Sequence, residues 1–213
     1  AFPHTGIDPI TIATQLLSAW QTIISRNVDA LESAVISATS INTGDSWNVI
    51  SNTAVIRGSV RTLSPAVRQL VHDRFHTLTH SIAEAFGAKA EINYRLMSPV
   101  TINDVEQTTF ACDVADTILG QARVLRTLPA DMGSEDFSYM LQERPGCYLV
   151  IGAARVAQDE DPLKGQSIQE ADLESSVFKN ACVLHEPTYD FNDDIIPLGA
   201  TFFTRLVERC LSG

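Results

Sequence analysis

The sequence predicts an α/β chain in two parts, a small sandwich over residues 1–98 and an incomplete sheet-and-helix layer over residues 99–213. Three observations predict this. Two helix starts, Asp8-Pro9 and Ser64-Pro65, pair an N-capping residue with a proline in the first turn. Three runs rich in β-branched or alternating residues fall between and after those helices. Ser98-Pro99 then interrupts the pattern, and a new helical period begins beyond it.

From Asp8 to Arg26, apolar residues recur at Ile10, Ile12, Leu16, Leu17, Trp20, Ile23 and Ile24, the spacing of one helix face. Residues 34–42 (AVISATSIN) alternate and read as a strand; Thr43-Gly44-Asp45 is a turn. Residues 52–63 (NTAVIRGSVRTL) read as a second strand, with Ala54, Ile56, Gly58 and Val60 on one side. A helix from Ser64 to Phe86 carries Val67, Leu70, Val71, Phe75, Leu78 and Ile82 on its apolar face and stops at Gly87. Residues 90–97 (AEINYRLM) read as a third strand. The order is α-β-β-α-β; one more strand ahead of it would complete βαββαβ, the ferredoxin-like split-βαβ sandwich.

In the second part the sequence predicts a helix near 104–119, a short strand near 123–128, a loop at 129–135 and a short helix near 137–142. The apolar run 147–152 (CYLVIG) reads as a buried strand. Residues 155–180 read as a polar surface insertion. A closing helix begins near Pro197 and carries Leu198, Phe202, Phe203, Leu206 and Val207. Two strands and three helices make a poor sheet alone. The chain also opens Ala1-Phe2-Pro3-His4, with neither Met nor a helix cap, so the expectation is a piece of a longer protein.

The chain has 213 residues, with 26 acidic against 15 basic side chains and a net charge of −11. That balance gives no electrostatic reason to bind nucleic acid or an anionic membrane. No apolar run approaches the ~20 residues that span a bilayer. Cys112, Cys147, Cys182 and Cys210 are far apart and form no CxxC pair, which points to reduced thiols and a cytoplasmic setting.

Several side chains can carry chemistry, and each also has an ordinary reading. His185, in Leu184-His185-Glu186-Pro187 ahead of an acidic run, suits a metal ligand, since neutral imidazole is a common zinc donor. Spacing alone favours a histidine satisfied by Asp190 or Asp193. Gly133 and Ser134 can present backbone N–H groups to a carboxylate, or Ser134 can simply cap the next helix. Arg61 offers a two-pronged grip on a carboxylate and Asn48, at a strand start, a neutral donor and acceptor; the ordinary readings are a strand-surface arginine and a turn asparagine. His72, His76 and His80 share one helix face, and with no carboxylate or Cys joining them at that spacing and the apolar face opposite, they read as a solvated polar face.

Four motifs in order, AFPHTGIDPI, SWNVISNTAVIRGSVRTL, DMGSEDFSYMLQERPGCYLVIGA and LHEPTYDFNDD, resemble the zinc-dependent amidohydrolases of the aminoacylase and carboxypeptidase-type metallopeptidase family. The resemblance is to the branch of hippurate hydrolases and N-acyl-amino-acid amidohydrolases, and it covers nearly the whole chain. It implies a lid domain over 1–98, of the βαββαβ kind with its first strand missing, and the C-terminal part of an α/β metallopeptidase catalytic domain over 99–213. It implies amide hydrolysis of N-acyl amino acids and two divalent metal ions, zinc with manganese or cobalt as alternatives. It further implies a small-molecule substrate and a homodimer formed through the lid.

Residue by residue, the resemblance makes His185 the C-terminal metal ligand and places Asn48, Arg61, Gly133 and Ser134 against substrate. His4 matches the second His of a Gly-His-Ala-Ala-x-Pro-His pattern. Ser51 stands where relatives carry Pro after Asn-Val-Ile, which is expected to loosen that loop. The family's general base and most of its metal ligands precede the lid, so the chain by itself is expected to be inactive. The alternatives are a non-catalytic dimerisation module and a degenerate binder of acyl amino acids.

Overall fold

The computed structural model describes residues 2–153 and 187–212. The chain divides into two compact units, Ala1–Val100 with Ala130–Glu135, and Thr101–Pro129 with Asp136–Gly213.

The first unit is built from helix α1 (Pro9–Arg26), strands β1 (Ala34–Thr43) and β2 (Ala54–Thr62), and helix α2 (Pro65–Ala85). Both helix starts form as the cap-plus-proline signal requires. The Asp8 carboxylate accepts the Ile10 N–H at 2.9 Å and the Thr11 hydroxyl at 2.8 Å, which holds its pKa below the usual carboxylate range. Ser64 accepts the Val67 N–H across a longer 3.5 Å. At its C-terminus α2 ends on Gly87 in the left-handed region, φ 75°, and the Ala88 N–H returns to the Ala83 carbonyl at 2.9 Å.

β1 and β2 form an antiparallel pair in which Ala34 faces Thr62 and Thr43 faces Ala54, with a bulge between Ala38 and Ser40. The bulge sits opposite Gly58, where the strands approach so closely that a Cβ would lie 2.1 Å from the Ser37 carbonyl oxygen. Only glycine fits there. Ile36, Ile56 and Val60 face the helices and meet Ile12, Leu16, Trp20, Ile23, Val67 and Val71 in one core. Trp20 is its centre. The indole stacks on Phe75 with ring centres 4.6 Å apart and donates its N–H to the Thr79 hydroxyl at 2.9 Å.

Among the described residues the sheet has two strands, not the three that the sequence predicts for this part. Residues 90–97 show the expected alternation, Ala90, Ile92 and Tyr94 being half-buried and Glu91, Asn93 and Arg95 exposed, but they join no ladder. The recorded side-chain contacts of this segment go to α2: Tyr94 packs on its rings, and Arg68 donates to the Met97 carbonyl at 3.0 Å. Alternation dictates which side chains are buried; a strand also needs a partner backbone.

The second unit contains α3 (Val105–Leu119), α4 (Phe137–Glu143) and α5 (Ile196–Leu211). Asp104 caps α3 through the Gln107 N–H at 2.9 Å, and Gly120, φ 80°, ends it. Ala111 and Val114 of α3 pack on Phe202 of α5, with Phe110, Ile118, Cys147 and Leu206 around them. Arg126 bridges Asp113 at 2.8 Å and Asp116 at 2.5 Å on α3. The short strand expected near 123–128 does not form; one turn of 3-10 helix at Gln121–Arg123 leads into backbone that joins no ladder among the described residues.

The expected buried strand at 147–152 is also absent, and Leu149, Val150 and Ile151 are exposed. The Asn103 side-chain amide donates to the Tyr148 carbonyl at 2.7 Å and accepts the Tyr148 N–H at 2.8 Å, while the Asp104 N–H takes the Gly146 carbonyl at 2.9 Å. Both backbone groups of Tyr148 are thereby held by a side chain.

Candidate substrate-binding site

Arg61 lies near the end of β2, opposite Val35 of β1. Its guanidinium donates to the carbonyl of Met132, so a strand arginine meets a segment 71 residues further along the chain. That segment, Ala130–Glu135, belongs to the first unit although the chain on either side of it belongs to the second. Gly133 and Ser134 follow Met132 directly, and both are exposed. The structure therefore brings Arg61 and the Gly133-Ser134 backbone into one neighbourhood.

Asp131 shapes this loop. Its carboxylate accepts the Gly133 N–H at 2.6 Å, an Asx turn, and a Cβ on residue 133 would lie 2.7 Å from the same oxygen. The sequence reading does not single out Asp131; the spacing Asp-x-Gly is the signal that could have found it. Ser134 does not cap the following helix, because α4 begins at Phe137 with Asp136 in the cap position and without a side-chain capping bond. The guanidinium offers hydrogen-bond donors of the kind that take a carboxylate, while the Gly133 N–H is already held by Asp131.

Asn48 is not brought onto this pair by any recorded contact. It sits in the connection between β1 and β2, ahead of the strand rather than at its start, and its side-chain oxygen accepts the Ser46 hydroxyl at 2.9 Å. Trp47 beside it is fully exposed. Ser51 makes two local bonds within this connection. Its hydroxyl donates to the Thr53 carbonyl at 3.0 Å and accepts the Thr53 N–H at 3.3 Å.

His185 and Cys182 lie outside the described residues, as does the insertion expected at 155–180. Among the described residues no group of three or more His, Cys, Asp or Glu is arranged to hold a metal ion. The described residues therefore do not supply a metal site by themselves. His4 is exposed on a 3-10 turn, its ring 6.2 Å from Phe2. The histidines of α2 correct the solvated-face expectation: His72 and His76 are half-buried against Tyr94, and only His80 is exposed. No described helix is long and apolar enough to cross a membrane. Cys112, Cys147 and Cys210 are free thiols, and burial pushes Cys112 up.

Comparison with known proteins places the chain among hydrolases of one family. The family described as peptidase family M20/M25/M40 matches residues 14–177. An N-acetyl-L-cysteine deacetylase of Bacillus subtilis is 41% identical over 152 residues, covering 71% of this chain and 36% of that protein. A hippurate hydrolase of Campylobacter jejuni is 31% identical over 209 residues, covering 98% of this chain and 48% of that protein. Among solved structures, an aminohydrolase from methicillin-resistant Staphylococcus aureus superimposes with a TM-score of 0.71 at 21% identity, over 97% of this chain and 48% of the other. A Bacillus subtilis protein described as a dinuclear metal binding peptidase from the M20 family gives 0.68 at 25% identity, over 97% and 46%. The chain thus spans about half or less of the length of these relatives.

Proposed function

The chain belongs to peptidase family M20/M25/M40, and on that premise we propose that it serves metal-dependent hydrolysis of the amide bond of N-acyl amino acids, hippurate-like or related conjugates. The observation that carries this reading is the contact between Arg61 and the Met132 carbonyl, which sets a guanidinium beside the exposed Gly133-Ser134 backbone. In this reading Arg61, Gly133 and Ser134 receive the substrate's carboxylate side, and Asn48 supplies a neutral contact from the β1–β2 connection. His185 is the chain's metal ligand. The metals are two divalent ions, zinc with manganese or cobalt as alternatives; the name of the dinuclear Bacillus subtilis relative supports the number.

Arg61→Lys tests the reading. Lysine keeps the charge but loses the planar fork, and a charge-assisted contact is worth ~1.5–3 kcal/mol. In the protein with its metal site complete, kcat/KM for hippurate should fall roughly 10- to 100-fold. Wild-type steady-state kinetics in this variant would remove Arg61 from the site.

The proposal extends to a cytoplasmic homodimer formed through the first unit. Val35, Ile41 and Val55 are exposed on the sheet, and neither β1 nor β2 has a second neighbour among the described residues. The same surface supports the alternative of a dimerisation module without catalysis. Both readings expect a dimer by analytical ultracentrifugation at micromolar concentration, and a monomer would count against both. Hippurate turnover separates them.

A further inference from the structure

The loop that meets Arg61 holds one peptide group by both of its ends. The Met132 carbonyl and the Gly133 N–H belong to the same planar unit and point in opposite directions. The carbonyl accepts from the Arg61 guanidinium, and the N–H donates to the Asp131 carboxylate at 2.6 Å. A cation sits on the oxygen and an anion on the hydrogen. In that arrangement each bond polarises the peptide in favour of the other.

Gly133 shows what the arrangement requires. Among the described residues Gly44, Gly87 and Gly120 lie in the left-handed region and Gly133 does not, so its backbone would take a side chain without strain. The obstacle is a neighbour. A Cβ on residue 133 would lie 2.7 Å from Asp131 Oδ1, and its next contacts, at 3.6 Å and 3.9 Å, are with the same carboxylate. Gly133→Ala would therefore displace the Asp131 side chain from the N–H and meet nothing else within that range. The glycine accommodates Asp131, and Asp131 holds the peptide against which Arg61 rests.

We propose that Asp131 is a positioning residue for the carboxylate-binding side of the site. It fixes the Met132–Gly133 peptide, keeps the Met132 carbonyl on Arg61, and so sets the direction of the guanidinium and of the backbone leading to Ser134. The proposal rests on the reading of Arg61, Gly133 and Ser134 as the part of the site that receives the substrate's carboxylate. Asp131, Gly133 and Ser134 are exposed, so without the Asp131 bond the peptide can rotate as a unit. Its carbonyl and N–H then swing together, and Arg61 loses its support when the N–H loses Asp131. The remaining donors of the guanidinium fork no longer have a fixed aim at a ligand. Asp131 thus acts on binding rather than on the chemical step.

Steady-state kinetics on hippurate, in the protein with its metal site complete, test this. Asp131→Ala should raise KM about 3- to 10-fold, the effect of losing one hydrogen bond, with kcat held within about twofold. Asp131→Asn keeps a side-chain oxygen able to form the same turn and should return KM to near wild type. Gly133→Ala should match Asp131→Ala, and the double variant should be no worse than either, because both changes remove the same bond. Thermal unfolding should show no fall in Tm for any of them. Wild-type KM in Asp131→Ala beside a raised KM in Arg61→Lys would overturn the role of Asp131 and leave Arg61 in the site. Wild-type kinetics in both variants would remove the site reading and this proposal with it. Equal losses in the Asn and Ala variants, additive losses in the double variant, a fall in kcat with KM unchanged, or a lowered Tm in Asp131→Ala would each overturn the proposal.

Discussion

His185→Ala should abolish useful turnover of an N-acyl amino acid in the protein with its metal site complete. Substitutions in the shell around a metal ligand already cost ~10- to 100-fold in metal affinity or activity, and loss of the ligand itself should exceed that. No compensating donor set is expected from the described residues, which contain no cluster able to take over the ion. Elemental analysis after dialysis should show metal lost alongside kcat/KM. Full activity with metal retained would overturn the assignment of His185, leaving the ordinary reading of a histidine satisfied by Asp190 or Asp193.

Trp20→Ala should be the most damaging single truncation in the first unit. The indole is 6% exposed, stacks on Phe75 and bonds Thr79, so it joins α1 to α2 by area, ring geometry and hydrogen bond together. Emptying that volume should cost about 3–5 kcal/mol. Trp20→Phe refills most of it and gives up the N–H bond, a loss of about 1 kcal/mol. Thr79 softens the second change, because its hydroxyl still donates to the Phe75 carbonyl at 2.6 Å. Urea unfolding followed by circular dichroism measures both; equal stability of the Ala and Phe variants would contradict the packing argument.

Local chemistry made part of this structure legible. Asp8-Pro9 and Ser64-Pro65 carry their reasons in their own side chains, and Gly87 in having none; the helices begin and stop there. The alternating runs at Ala34–Thr43 and Ala54–Thr62 became strands because each found the other. The runs at 90–97 and 147–152 have comparable apolar content and are not strands. The first meets no partner backbone among the described residues, and in the second the Asn103 amide holds both backbone groups of Tyr148. Neither fact can be seen from inside the run.

The site divides in the same way. Family resemblance places Arg61, Gly133 and Ser134 against one substrate, but their meeting through the Met132 carbonyl cannot be read from residues 71 apart. Asn48, expected at a strand start, lies in the preceding connection. The helical spacing of His72, His76 and His80 is visible in the sequence, but their burial depends on Tyr94, which arrives from the far side of Gly87.

The assignment of Ala130–Glu135 to the first unit has a practical consequence for dissecting the protein. A clone ending at Val100 would look like a sensible domain boundary, and it would retain α1, β1, β2 and α2. It would also strand Arg61 without the Met132 carbonyl and omit Gly133 and Ser134 altogether. Such a clone could report on folding and association but not on the proposed substrate contacts. A circularly rearranged gene, or a peptide spanning residues 130–135 joined by a linker, would be needed to restore what the cut removes.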